Sequence, residues 1–135
     1  MYRFVEHTGE LELELEADTE GAVFEEALRA FGELLAEHAP DEGKEDTATD
    51  AELDVHAPDR ATLLAEWLGE LAYLAESKGF VPERSLALEL GEQDLHAKLA
   101  GRTGAPPHLV KAVTYHRLEF EPAGGGWRAR VVFDV

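Results

Sequence analysis

Residues 9–17 read Gly9-Glu10-Leu11-Glu12-Leu13-Glu14-Leu15-Glu16-Ala17. Leucine and glutamate alternate without a break. Leu11, Leu13 and Leu15 therefore fall on one face, and Glu10, Glu12, Glu14 and Glu16 on the other. A period of two over this length predicts a half-buried β-strand with its leucines turned to a core. Tyr2 to Val5, just upstream, predict a short strand or its lead-in. Downstream the period changes. Phe24, Ala27, Leu28, Phe31, Leu34, Leu35 and His38 recur at three- and four-residue steps, which predicts a helix over residues 20–38. Thr19 or Asp18 can cap its start, and Pro40 lies just past its end.

A second helix is predicted over 59–78, capped by Asp59 and stopped by Gly79. Leu64, Trp67, Leu68, Leu71, Leu74 and Ala75 line its buried stripe. Residues 40–50 have no apolar period and read as a solvated loop. Strands are expected at 51–57 with Leu53 and Val55 inward, near 84–90, at 95–100, at 110–121 and at 127–135. A loop at 101–108 and a turn at Pro122–Gly126 separate the later ones. The order is β, α, β, α and then a run of β, which favours antiparallel pairing late in the chain. The expected architecture is a two-layer α+β single domain over 1–135, a mostly antiparallel sheet with two helices on one face.

The chain has 135 residues and a formal net charge of −17, from 29 acids and 12 bases. Residues 1–60 hold 19 of the acids and 4 of the bases. So acidic a chain lacks the electrostatic footprint for gripping phosphate backbones or anionic lipid, so direct nucleic-acid binding is not expected. Cations and basic protein surfaces are the expected partners. No apolar stretch approaches the ~20 residues of a membrane span, and Met1-Tyr2-Arg3-Phe4 runs straight into charged sequence rather than a secretion signal. Cysteine is absent, which removes disulfides, thiolate zinc sites and cysteine nucleophiles. The expected location is the cytoplasm. Asn is also absent and Gln93 is the single glutamine, a depletion that suits a thermophile.

No P-loop, Rossmann glycine fingerprint, Gly-x-Ser-x-Gly elbow or His-Glu-x-x-His occurs. Ser appears only at 77 and 85. Gly124-Gly125-Gly126 precedes a strand, so it is turn chemistry rather than a phosphate cradle. The chain is therefore expected not to be an enzyme in its own right. No pair of histidines has metal-ligand spacing on a helix. His38 closes an apolar stripe, and His116 shares a predicted strand face with Leu118 and Phe120, so both read as structural.

The last strand carries more chemistry. Trp127, Ala129, Val131, Phe133 and Val135 share one face, and Arg128, Arg130, Val132 and Asp134 the other. Asp134 and the Val135 carboxylate are one residue apart, and close like charges disfavour each other unless a cation lies between them. With Glu10 nearby, three carboxyl groups would converge, an all-oxygen set suited to Ca²⁺, Mg²⁺ or Mn²⁺ rather than Zn²⁺. The alternative is that Arg128 or Arg130 neutralises Asp134 and that Glu10 belongs to a solvated acidic face.

Three segments give the sequence a family resemblance. They are Glu6-His7-Thr8-Gly9-Glu10, the stretch Leu63-Leu64-Ala65-Glu66-Trp67-Leu68-Gly69-Glu70-Leu71-Ala72-Tyr73-Leu74, and Val110-Lys111-Ala112-Val113-Thr114-Tyr115-His116 with the Val-Val-Phe-Asp-Val ending at 131–135. In order and spacing they resemble the archease family over nearly the whole chain. The first looks like that family's Asp-His-Thr-Ala-Asp, with Glu6 and Glu10 in place of its two aspartates.

The resemblance implies a small cytoplasmic accessory protein of the RtcB-type tRNA-splicing RNA ligase. Such a protein promotes guanylylation and multiple turnover of the ligase without catalysing a reaction itself. It also implies a divalent ion, Ca²⁺ first and Mg²⁺ or Mn²⁺ next, held by Glu10, Asp134 and Val135. Lys111 is the functional candidate of the third segment, and His7 and His116 stand beside it as further candidates for ligase activation. The competing class is a general chaperone or interaction module with no ligase role. A third is a small hydrolase or binding enzyme using Glu10, Asp134 and a histidine.

Overall fold

The structure, a computed structural model, describes residues 1–38, 48–105 and 109–135. Strands β1 (Tyr2–His7) and β2 (Glu10–Ala17) form a hairpin, followed by helix α1 (Glu20–Glu37). Strand β3 (Ala48–His56) leads to α2 (Arg60–Lys78), then β4 (Phe80–Leu90), β5 (Asp94–Thr103), β6 (Ala112–Ala123) and β7 (Gly126–Asp134). The helix ends follow the sequence signals. Thr19 accepts a hydrogen bond from the Ala22 N–H, Asp59 accepts one from Thr62, and Gly79 ends α2.

The α+β architecture matches expectation, but the strands are divided between two sheets instead of forming one. One has the order β1-β2-β7-β6 and the other β3-β5-β4, and every pairing among the described residues is antiparallel. Both helices pack against strands of both sheets, so a single apolar cluster joins the whole. Trp67, Phe24, Phe31 and Phe133 are its largest fully buried side chains. The Trp67 indole N–H donates to the Phe24 carbonyl at 3.1 Å, which satisfies a buried donor and ties α2 to α1. Gly32 lets α1 lie against β4: a Cβ there would come within 2.0 Å of the Pro82 carbonyl oxygen.

Boundaries shift where local signals were weak. Residues 48–50, read as loop, open β3, and 101–103 extend β5. The rest of the 40–50 loop, and residues 106–108, lie outside the described residues. β4 starts at Phe80, earlier than its apolar pattern shows, and carries two bulges between Pro82 and Ala87. β6 is interrupted as well. Its register to β7 jumps between Thr114 and Glu119, so Tyr115 to Leu118 leave the ladder.

Candidate functional site

The β2–β7 pairing decides whether the carboxylates meet. Its register places Glu10 directly opposite Asp134. The β1–β2 hairpin places His7 opposite Glu10, and the β6–β7 pairing places Ala112 opposite Asp134. His7, Glu10, Asp134 and Ala112 therefore form one row across the end of the four-stranded sheet, with adjacent Cβ atoms about 4.5–5.5 Å apart. The hairpin turn is Thr8-Gly9, with Gly9 at a φ of 75° that a side chain would disfavour. This turn brings the Gly9 carbonyl to the Val135 N–H, which donates to it at 3.2 Å. On the other side the Lys111 N–H donates to the Asp134 carbonyl at 2.8 Å. Residues from opposite ends of the chain are thus tied together by backbone hydrogen bonds.

The side chains are less tied. Among the described residues no Lys or Arg forms an ion pair with Glu10 or Asp134. Arg128 and Arg130, offered as neutralisers of Asp134, point their charge elsewhere. Arg130 pairs with Glu119 at 2.7 Å and Arg128 with Glu119 and Glu121. Arg130 stands four residues from Asp134, about 13 Å along the strand. Lys111 is exposed, and among the described residues its ammonium pairs with no carboxylate.

A cavity of about 290 Å³ opens beside the row, between the sheet end and the end of α1. Phe4, Leu11 and Leu34 give it apolar wall, while Glu6, His7, Glu10, Glu37, His38 and Val135 give it polar wall. Glu37 had no sequence signal, because it lies on the solvent side of α1 and reaches the site only through the helix's position. His38 keeps its expected helix-end role, with Nδ1 hydrogen-bonded to the Leu34 carbonyl oxygen at 2.9 Å. A larger cleft, about 670 Å³, lies at the opposite end of β2 and β7 around Asp18, Glu26 and Trp127, and none of the carboxylates of the row line it.

His116 is not part of this constellation. It lies in the β6 bulge, exposed, with its backbone N–H donating to Thr114 Oγ1 at 3.3 Å. The alternation that grouped it with Leu118 and Phe120 is broken by that bulge. Neither do the described residues contain a group of three or more His, Cys, Asp or Glu side chains that could hold a metal. What they do contain is two directly opposed, unpaired side-chain carboxylates with the Val135 main chain fixed beside them. These donors are all hard oxygen, the ligand type that Ca²⁺, Mg²⁺ and Mn²⁺ prefer and zinc does not.

The Archease protein family matches residues 2–135. The chain belongs to the archease family. The archease of Methanosarcina mazei is 33% identical over 99% of this chain and 95% of its own length. That of Pyrobaculum neutrophilum is 29% identical over the same shares. Among solved structures, the fold matches the Thermotoga maritima archease crystal structure, described as a possible chaperone, with a TM-score of 0.66, 23% identity and coverage of 100% and 98% of the two chains. It matches the solution structure of Methanobacterium thermoautotrophicum protein 1598 with a TM-score of 0.71, at 22% identity over 99% and 98%. The chain shares their fold, and its described residues form two helices on antiparallel sheets. Among its described residues no helix is long and apolar enough to cross a membrane.

Proposed function

We propose that this archease activates an RtcB-type RNA ligase in the cytoplasm, raising ligase guanylylation and turnover in tRNA splicing and RNA repair. The observation that carries the reading is the convergence of the family-like segment 6–10 and the first half of the segment 110–116 on the end of the last strand. They are far apart in sequence and come together at one end of one sheet, around Glu10, Asp134 and Lys111.

Glu10, Asp134 and Val135 would hold a hard divalent ion, Ca²⁺ or in its place Mg²⁺ or Mn²⁺. Bound there, it supplies positive charge that can offset phosphate charge. The chain's own residues supply the rest. Lys111 presents an exposed ammonium next to Asp134, suited to a phosphate oxygen. His7, opposite Glu10, presents a second titratable group in the same row. The net charge of −17 speeds encounter with a basic RNA-binding enzyme. No group in the row is a catalyst for RNA joining on this reading; the ligase does the chemistry.

The test is ligase turnover with and without this protein, read as joined RNA and as guanylylated ligase. Substoichiometric archease should raise both, and alone it should neither join RNA nor hydrolyse GTP. No change in guanylylation of a cognate ligase overturns the reading in favour of a general chaperone or interaction module.

A further inference from the structure

The segment Leu63 to Leu74 and Tyr115 play no part in the carboxylate row, yet they meet each other. The Tyr115 hydroxyl, carried on the β6 bulge, donates to Glu66 Oε1 of α2 at 2.5 Å. On α2 the buried stripe is Leu63, Leu64, Trp67, Leu68, Leu71 and Leu74. Glu66, Gly69, Glu70 and Tyr73 follow at three- and four-residue steps on the open side, which puts them in one row of about 10 Å. Two large aromatic residues on this face are left in solvent: Tyr73 is 63% exposed and Tyr115 57%. At Gly69, between Glu66 and Tyr73, a Cβ would meet nothing within 4 Å, so the helix surface has a gap there.

The chemistry of this face is specific. Tyrosine rings and carboxylates together recognise a guanidinium, the rings through their faces and the carboxylates through charge-assisted hydrogen bonds. Tyr and Arg are also the residue types that dominate binding energy in protein interfaces. The described cations of α2 are Arg60, paired with Glu20 at its start, and Lys78 at its end, so the row between them is acidic. A chain of net charge −17 repels an anionic partner and attracts a basic one.

We infer that the α2–β6 face is a docking surface for a basic protein partner, with a partner arginine seated over Gly69 between Tyr73 and Tyr115. On the function proposed above, that partner surface is the ligase's, and the inference rests on that reading. Docking and activation are then separate: α2 and Tyr115 hold the partner, while Glu10, Asp134 and Lys111 act at its nucleotide site.

The experiment measures affinity for a cognate RNA ligase by calorimetry, and maximal ligase turnover at saturating archease, for Gly69→Leu, Tyr73→Ala and Asp134→Ala. Gly69→Leu fills the gap and Tyr73→Ala removes an exposed ring, so both variants should melt no lower than wild type. Each should raise the Kd at least about tenfold while turnover at saturation stays at the wild-type level. Asp134→Ala should do the reverse, with Kd unchanged and turnover lost. Gly69→Leu and Tyr73→Ala binding the ligase as tightly as wild type overturns the docking surface and leaves the proposed function standing. Wild-type protein forming no complex with the ligase overturns both.

Discussion

Glu10 and Asp134 stand directly opposite one another on adjacent antiparallel strands, with no cation paired to either among the described residues. Like charges directly opposite one another on a sheet destabilise it, and a cation bound between them turns that repulsion into attraction. Asp134→Asn should therefore slightly raise the melting temperature in chelator-treated buffer. The same variant should lose the rise in melting temperature that Ca²⁺ or Mn²⁺ gives the wild type. Thermal melts with and without metal read both effects. A wild type indifferent to both ions would remove the metal from the site.

Lys111 lies next to Asp134 by backbone hydrogen bond, and its ammonium pairs with no described carboxylate. Lys111→Ala should leave the melting temperature within error of wild type, because an exposed unpaired lysine contributes little to folding. Ligase activation should drop about tenfold, equivalent to one lost charge-assisted hydrogen bond of about 1.5 kcal/mol. Wild-type activation by the variant would assign Lys111 to the solvated surface.

The sequence made some of this legible and concealed the rest for physical reasons. The leucine–glutamate alternation of β2, the cap at Asp59 and the stop at Gly79 are local signals that the structure follows, and of the two cap candidates for α1 it uses Thr19 rather than Asp18. The β2–β7 register is not local. It joins Glu10 to a residue more than a hundred positions away, and no period in either strand encodes a partner. The division into two sheets was hidden for the same reason: β5 and β6 follow one another in the chain but do not pair. Glu12 shows the limit most clearly. Its place in the alternation assigns it to solvent, yet it is buried, because the β6 bulge carries Arg117 over it.

His96 on β5 offers a pH test away from the site. Its Nδ1 hydrogen-bonds to Asp54 at 2.5 Å, and its Nε2 lies 3.0 Å from Glu52, both on β3. Glu89 faces it from β4 on the other side. Hydrogen bonding to Asp54 raises the His96 pKa above its ordinary value of 6.5. Desolvation opposes the rise, and the charges of Asp54, Glu52 and Glu89 add to it. A group whose pKa is raised by folding stabilises the fold below its unfolded pKa, and the contribution is lost as pH rises through the folded pKa. The margin of wild type over His96→Gln in melting temperature should thus be largest below pH 6.5 and shrink at higher pH. Because the ring is solvent-accessible, the margin should also shrink in 1 M salt. Melts over a pH series at two salt concentrations check both trends, and a margin that grows with pH would contradict the assignment.

The Arg117–Glu12 pair is the most buried charge contact among the described residues, and it closes the outer face of the four-stranded sheet. The Glu12 side chain is 7% exposed, and an Arg117 guanidinium nitrogen lies 2.7 Å from its Oε1. The approach is close but off the hydrogen-bonding direction, so that oxygen is compensated by charge alone. Arg117 has a positive φ of 55°, and its carbonyl accepts a hydrogen bond from Arg130 Nε at 3.0 Å, which anchors the bulge to β7. Removing the cation leaves a buried carboxylate without compensation, whereas removing the carboxylate's charge leaves an arginine that can turn to solvent. Arg117→Ala should therefore destabilise by about 1–3 kcal/mol, more than Glu12→Gln. The double variant should recover part of the loss, since the orphaned charge is gone. Urea unfolding of the three proteins measures this directly. The bulge also carries Tyr115, so Arg117→Ala should weaken partner binding beyond its effect on stability, by freeing the Tyr115 hydroxyl from Glu66. Glu12→Gln, which leaves Arg117 in place, should bind more nearly as wild type does. Equal losses of binding in the two variants would separate the bulge's anchor from its function.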